Sequence, residues 1–272
     1  MTITASDITD DPAEVRIRID AGRTSRVLTW SFERNPPKRA TNYAEVASVA
    51  LLPYAQREGS ELRIEGSVSS SLLANLEDYR DYWNNVAPDR FDRISIVPEV
   101  IDDNVDPVDE TTAVLAISGG VHSTYALATS HRTIGDERSR SIVSAVFIRD
   151  FDIATNGATE VARCSAICEA YDTPLSVVST NWHEEFAHHD FSLSFLAGIA
   201  ATLRLFAPDA GQGIVAASTT YGSVERPSGS NPSSNAFLGD LRFPIRSAGF
   251  GIDRPTKLQA IESLPRPSEV RT

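Results

Sequence analysis

The chain is poor in cysteine, methionine and positive charge. Of 272 residues, 2 are cysteine and 1 is methionine. The pair Cys164 and Cys168 cannot form a disulfide framework, so a reduced, cytoplasmic protein is expected. Lysine and arginine number 25 against 37 acidic residues, a net charge of −12. Binding to a nucleic-acid backbone rests on clustered Lys and Arg, so a nucleic-acid partner is not expected. A single nucleotide, which needs only a few local donors, is not excluded. No apolar run approaches the ~18 residues of a membrane span. The opening MTITASDITDDPAEV is acidic and polar, unlike a secretory signal. What is present is globular composition, 41% hydrophobic and 23% charged, long enough for one large domain or two smaller ones.

Periodicity divides the chain. Residues 1–13 read as a loose tail. VRIRIDAG and RVLTWSFE alternate apolar and polar residues, as strands do, around the turn-forming AGRTS. YAEVASVALLPYA reads as a short buried helix and ELRIEGSV as a further strand. SSSLLANLEDYRDYWNNV sets Leu72, Leu73, Leu76, Tyr79 and Trp83 on one helical face, with serines able to cap its start. RISIVPEV closes an N-terminal α/β module over 14–100. The acidic, proline-containing residues 101–111 read as a linker.

From 112 to 272 strands and helices alternate. TAVLAIS, SIVSAVFI, PLSVVST and GIVAAST are continuous apolar strands, which predicts a parallel sheet with helices on both faces. TYGSVERPSGSNPSSN is a long loop rich in Ser, Gly, Pro and Asn, of the kind that is functional or disordered. A last helix is entered through Pro255, with Lys257 in its first turn.

The motif that carries chemistry is ISGGVHST, Ile117 to Thr124, at the carboxyl end of the first strand of this region. Ligands of open parallel sheets bind beyond that end. Glycines let the backbone approach a phosphate, and the amides that open the next helix favour negative charge. Ser118, Ser123 and Thr124 add hydroxyls. A ligand-free βα turn would use the same glycines. Neither G-x-x-x-x-G-K-[ST] nor G-x-G-x-x-G fits.

SGGVHST resembles the S-G-G-x-D-S loop of the PP-loop ATP pyrophosphatases, in the adenine nucleotide alpha hydrolase group. Ser118, Gly119, Gly120 and Ser123 match, and Val121 occupies the free position. Within the group the chain is most similar to 7-cyano-7-deazaguanine synthase-like proteins. More narrowly, LRIEGSVSSSLLANLEDY and GSNP resemble bacterial proteins that place an α/β module before the PP-loop domain. The resemblance implies a HUP-type, Rossmann-like fold that holds ATP and Mg²⁺. The implied activity is cleavage of ATP to AMP and pyrophosphate, which adenylates a small-molecule substrate for attack by a nitrogen or sulfur nucleophile. It implies adenine contact by the backbone at Phe147 and Ile148, and a phosphate role for Lys257.

The sequence departs from the family in two places. His122 stands where the family has aspartate. Neutral imidazole is a poor ligand for Mg²⁺, whereas a protonated one would bind phosphate directly. His122 therefore marks either a recruited donor or a nucleotide-binding module without turnover. The family's terminal cysteine cluster is also missing, since no cysteine follows Cys168, and no structural zinc is expected.

With His122 at the aspartate position, Asp150 and Asp152 are candidates for Mg²⁺ oxygens, or else solvated loop acids. Ser218 and Thr219 end the fourth strand at the same crevice. Arg226, Ser228, Ser230 and Asn231 could contact phosphate or substrate from the long loop. Cys164 and Cys168 share an apolar helical face and read as packing residues before persulfide carriers. NWHEEFAHHD has metal-ligand composition without H-E-x-x-H spacing, and reads first as a polar loop. The expected catalytic set is His122, Lys257 and Ser123, with ATP held by residues 117–124, Phe147, Ile148 and Ser218. A homodimer is compatible with all of this.

Overall fold

A computed structural model describes the chain except residues 12, 39–40, 105–108, 131–139, 150, 152–156, 188, 224–226, 263–266 and 272. Its ten strands form one sheet in the order β10-β9-β6-β7-β8-β3-β2-β1-β4-β5. The first five are β1 (Thr2–Asp7), β2 (Glu14–Ala21), β3 (Thr24–Arg34), β4 (Glu61–Ser69) and β5 (Ile96–Asp102). Helix α1 (Tyr43–Arg57) connects β3 to β4, and α2 (Ser70–Val86) connects β4 to β5. The α2 helix starts where Ser69 accepts a hydrogen bond from the Leu72 amide, and it buries Leu72, Leu76, Tyr79 and Trp83.

The second series is β6 (Thr112–Ala116), α3 (Val121–Ser130), β7 (Ser141–Arg149), α4 (Gly157–Ala170), β8 (Leu175–Thr180), α5 (Phe191–Arg204), β9 (Gly213–Ala216), β10 (Ile245–Ala248) and α6 (Arg254–Glu262). All its strand pairs are parallel. Side chains alternate across this part of the sheet. Ala113 and Leu115 enter a core shared with α3, α4 and α6, while Val114 enters the core shared with α5. The expected parallel sheet with helices on both faces is therefore present, and the architecture is Rossmann-like.

Two expectations need correction. Residues 2–7 belong to no loose tail: Ile3 and Ala5 are buried, and β1 lies inside the sheet between β2 and β4. The strand was missed because TITASD offers only two apolar positions on its inward face. The boundary at 101–111 also falls differently, since Ile101 and Asp102 are the last residues of β5. Nor does that boundary interrupt the sheet, because β3 pairs antiparallel with β8, Trp30 opposite Thr180 and Phe32 opposite Val178.

The seam between the two series is polar at its centre and buried. Arg204 on α5 donates to Glu45 Oε2 on α1 at 2.8 Å and to Asp240 Oδ1 at 3.2 Å. Ser69 Oγ donates to Asp240 Oδ2 at 2.6 Å. Burial alone would raise the Asp240 pKa, but Arg204, Ser69 and the Phe243 amide hold it below the ordinary value. Trp30 Nε1 donates to Thr202 on α5, and Trp182 Nε1 donates to the Ala50 carbonyl of α1.

Candidate functional site

Within the second series the strand order is 10-9-6-7-8, so the chain leaves β6 toward one side of the sheet and later returns to the other. The reversal lies between β6 and β9. Crevices at such a point, beyond the carboxyl ends of the strands, are the ligand sites of doubly wound sheets. A cavity of about 590 Å³ opens there. Ala116 to Ser118, Val146 to Ile148, and Val215, Ala216 and Ser218 supply its floor from β6, β7 and β9.

The loop after β6 is braced from inside. The Ser118 amide donates to Ser123 Oγ at 3.1 Å, the two hydroxyl oxygens lie 3.2 Å apart, and Ser123 Oγ donates to the Gly120 carbonyl at 3.2 Å. Gly119 has φ of +67°, and a Cβ there would lie 3.0 Å from Arg163 Cδ. Both constraints select glycine. The Arg271 amide donates to the Gly119 carbonyl at 2.8 Å, so the C-terminal segment straps the loop. Helix α3 then begins at Val121; the Thr124 amide donates to the Gly120 carbonyl at 3.0 Å, and the amides of Val121, His122 and Ser123 precede the first acceptor of the helix.

Lys257 reaches the same place from α6. It is buried, and its Nζ donates to the Ala217 carbonyl at 2.8 Å and sits 3.4 Å from His122 Nδ1. Gly249, at φ +90°, admits the ammonium, since a Cβ there would stand 3.0 Å from Nζ. Among the described residues Lys257 makes no ion pair. Burial lowers its pKa, which Asp253 partly offsets. His122 is half-buried, and its pKa is lowered first by burial and then by the charges of Lys257 and Arg254. With Nδ1 accepting from the ammonium, the imidazole proton is assigned to Nε2. Positive charge thus collects at the start of α3, and among the described residues no carboxylate is bonded to Lys257.

Of the expected site residues, Ile117, Ser118, His122, Ser123, Phe147, Ile148 and Ser218 line the cavity. Gly119 and Gly120 form the loop backbone beneath it. Val121 packs into the core, and Thr124 is buried with no partner for its hydroxyl. Neither side chain lines the cavity, and the Thr124 amide donates to the Gly120 carbonyl at 3.0 Å, so of the two only the Val121 amide is left for a ligand. Asp150 and Asp152 lie outside the described residues, as do Arg226 and His188. Among the described residues of the long loop, Ser228 alone lines the cavity. Ser230 and Asn231 are instead buried in its internal network, where Asn231 Oδ1 accepts from the Ser233 and Ser234 amides. Residues 228–235 thus form a built wall.

Both cysteines are buried behind the loop, their pKa values pushed up to about 12, chiefly by burial. In the histidine-rich stretch, His183 stacks on Phe191 at 4.0 Å and Asp190 pairs with Arg90. No group of three metal-binding side chains occurs among the described residues.

Three features lay beyond sequence reasoning. An aromatic wall faces the loop, with Phe151 stacked on Trp182 at 5.6 Å and Phe191 edge-on to Phe151 at 5.4 Å. Glu160, from the first turn of α4, lines the cavity. Arg271 lines it from the C-terminal strap. Each comes from a segment whose own pattern signals only an apolar helix or a polar end.

No protein-family model, curated protein or solved structure matches the chain. Among the described residues, no helix is long and apolar enough to cross a membrane.

Proposed function

We propose that the chain is an ATP-dependent adenylating enzyme of PP-loop type on a HUP-like fold. The observation that carries this reading is Lys257. A buried ammonium whose bonded partners are one carbonyl and one imidazole is incompletely neutralised, and it stands beside helix-start amides. An anion completes that arrangement.

The triphosphate of ATP is assigned to residues 118–124. The first-turn amides of α3 receive phosphate oxygens, and His122 donates from Nε2. The backbone at Phe147 and Ile148 receives adenine, and the small-molecule substrate uses the aromatic side of the cavity. A substrate oxygen forms a bond to the α-phosphorus. The bond to the bridging oxygen breaks, and its electron pair leaves on pyrophosphate. Lys257 stabilises the charge developing there. A nitrogen nucleophile then displaces AMP, giving an amide from an acyl adenylate or an amidine from an adenylated amide; where an adenylated amide instead loses its N–H proton and eliminates AMP, the product is a nitrile. Sulfur transfer is disfavoured because both cysteines are buried and hard to ionise. Asp150 and Asp152, the candidate Mg²⁺ oxygens, lie outside the described residues, so no step is assigned to the ion. A reduced cytoplasmic setting, with no nucleic-acid or membrane partner, fits the free cysteines and the charge of −12.

The test is product identity. Incubation with ATP, a panel of carboxylates and ammonia should release AMP and pyrophosphate in equal amounts, and ADP as the nucleotide product would overturn the assignment. A second reading, a nucleotide holder without turnover, is favoured by the imidazole at position 122. It predicts ATP binding with no pyrophosphate from any substrate. Gain of activity in His122→Asp would support it, and loss would support a recruited histidine.

A further inference from the structure

We propose that Glu160 selects a ribonucleotide by accepting hydrogen bonds from the ribose hydroxyls. The inference rests on the ATP reading above. Glu160 is the one carboxylate among the described residues that line the cavity. Its Oε1 lies 3.4 Å from Arg163 Nη1, whereas Oε2 is buried and has no hydrogen-bond partner. A buried carboxylate oxygen without a donor is costly unless a ligand supplies one.

Position narrows the donor. Arg163 and Cys164 press on the back of the glycine loop, with Arg163 Cδ 3.0 Å and Cys164 Sγ 3.3 Å from where a Gly119 Cβ would stand. Glu160 is one turn earlier on the same helix, so its carboxylate is held beside the loop. Phosphate on the loop would repel it, and adenine is assigned to the Phe147 and Ile148 backbone at the end of β7. The sugar lies between them, and its two vicinal hydroxyls suit one carboxylate oxygen. Doubly wound nucleotide folds use an acidic residue in this way.

The experiment is calorimetric titration of the full chain with ATP, 2′-deoxyATP and 3′-deoxyATP, with and without Mg²⁺. The wild type should prefer ATP by about tenfold or more over at least one deoxy analogue. Glu160→Ala should reduce that ratio to near one by weakening ATP alone, and the near-isosteric Glu160→Gln should fall between. Equal affinity of the wild type for all three nucleotides overturns the ribose assignment and leaves the ATP reading standing. So does an unchanged ratio in both variants, or a variant effect confined to Mg²⁺ dependence, which would make Glu160 a cation ligand. Binding of none of the three overturns the ATP reading and this inference together.

Discussion

Strands β1–β5 and β6–β10 share one sheet but are covered differently. The first series buries one face, where Ile3, Ile17, Leu28 and Leu62 meet α1 and α2. Its other face carries Arg16, Arg18, Asp20 and Arg63, with ion pairs such as Arg63 to Glu61 at 2.7 Å. The second series is covered on both faces, and its second core holds no residue before Ala113. All described residues lining the cavity also come from the second series. A one-sided sheet can widen a fold, but it leaves no crevice between strand ends and helices. The first series acts instead as a buttress. Its helix α1 packs on α5, and α5 carries the wall that faces the glycine loop.

The seam is the place to break this arrangement. Arg204→Ala leaves Asp240 buried without its hydrogen-bonded cation and Glu45 with only Arg242 at 3.9 Å, and loss of one partner of a buried charge network costs about 3–5 kcal/mol. Thermal unfolding should shift down by roughly 10 °C. Because α5 rests on this seam, ATP affinity should weaken in the same variant although Arg204 does not line the cavity. A variant as stable as wild type would show that the two series are not coupled through Arg204.

Lys257→Met probes the opposite case, a buried charge kept for a ligand. The methylene stem is replaced, the desolvated ammonium is removed, and its bonds to the Ala217 carbonyl and to His122 Nδ1 are lost. Stability should change by less than ~1 kcal/mol, while ATP or pyrophosphate affinity should fall by about tenfold or more. Melting and titration on one preparation read both. If stability collapsed while affinity was kept, Lys257 would be a structural residue like Arg204.

The same division governs what could be read from sequence. The strands of the second series are continuous apolar runs and the glycine loop is a local string, so the fold class and the loop that edges the cavity were both visible. Strand β1 was not, because its two inward residues, Ile3 and Ala5, acquire meaning only once β2 and β4 flank them. The joining of the two series was invisible for a related reason. Strands β3 and β8 are separated by well over a hundred residues, and no local pattern records that they pair. Glu160, Arg271 and the aromatic wall reach the cavity through helix packing and the C-terminal strap, which periodicity does not encode. Asn231 misled because polar loop composition reads as solvent contact, whereas here it satisfies the loop's own amides.

His122 offers the smallest and most selective probe, because its sign should reverse on binding. In the free protein, burial and the charges of Lys257 and Arg254 hold its pKa below the ordinary 6.5. The unfolded chain therefore takes up this proton first as pH falls. The associated stability is present above pH 6.5 and is lost as pH drops through that value toward the lower folded pKa. Between about pH 8 and pH 6 the wild type should lose on the order of a degree or two more in melting temperature than His122→Gln. A polyphosphate beside the imidazole acts oppositely and raises the pKa. ATP affinity should then rise more steeply in the wild type than in His122→Gln as pH is lowered over the same range. Comparing the two proteins cancels the titration of ATP itself. Parallel affinity curves would remove His122 from phosphate contact. Parallel melting curves would show that Lys257 and Arg254 do not hold its charge off in the free protein.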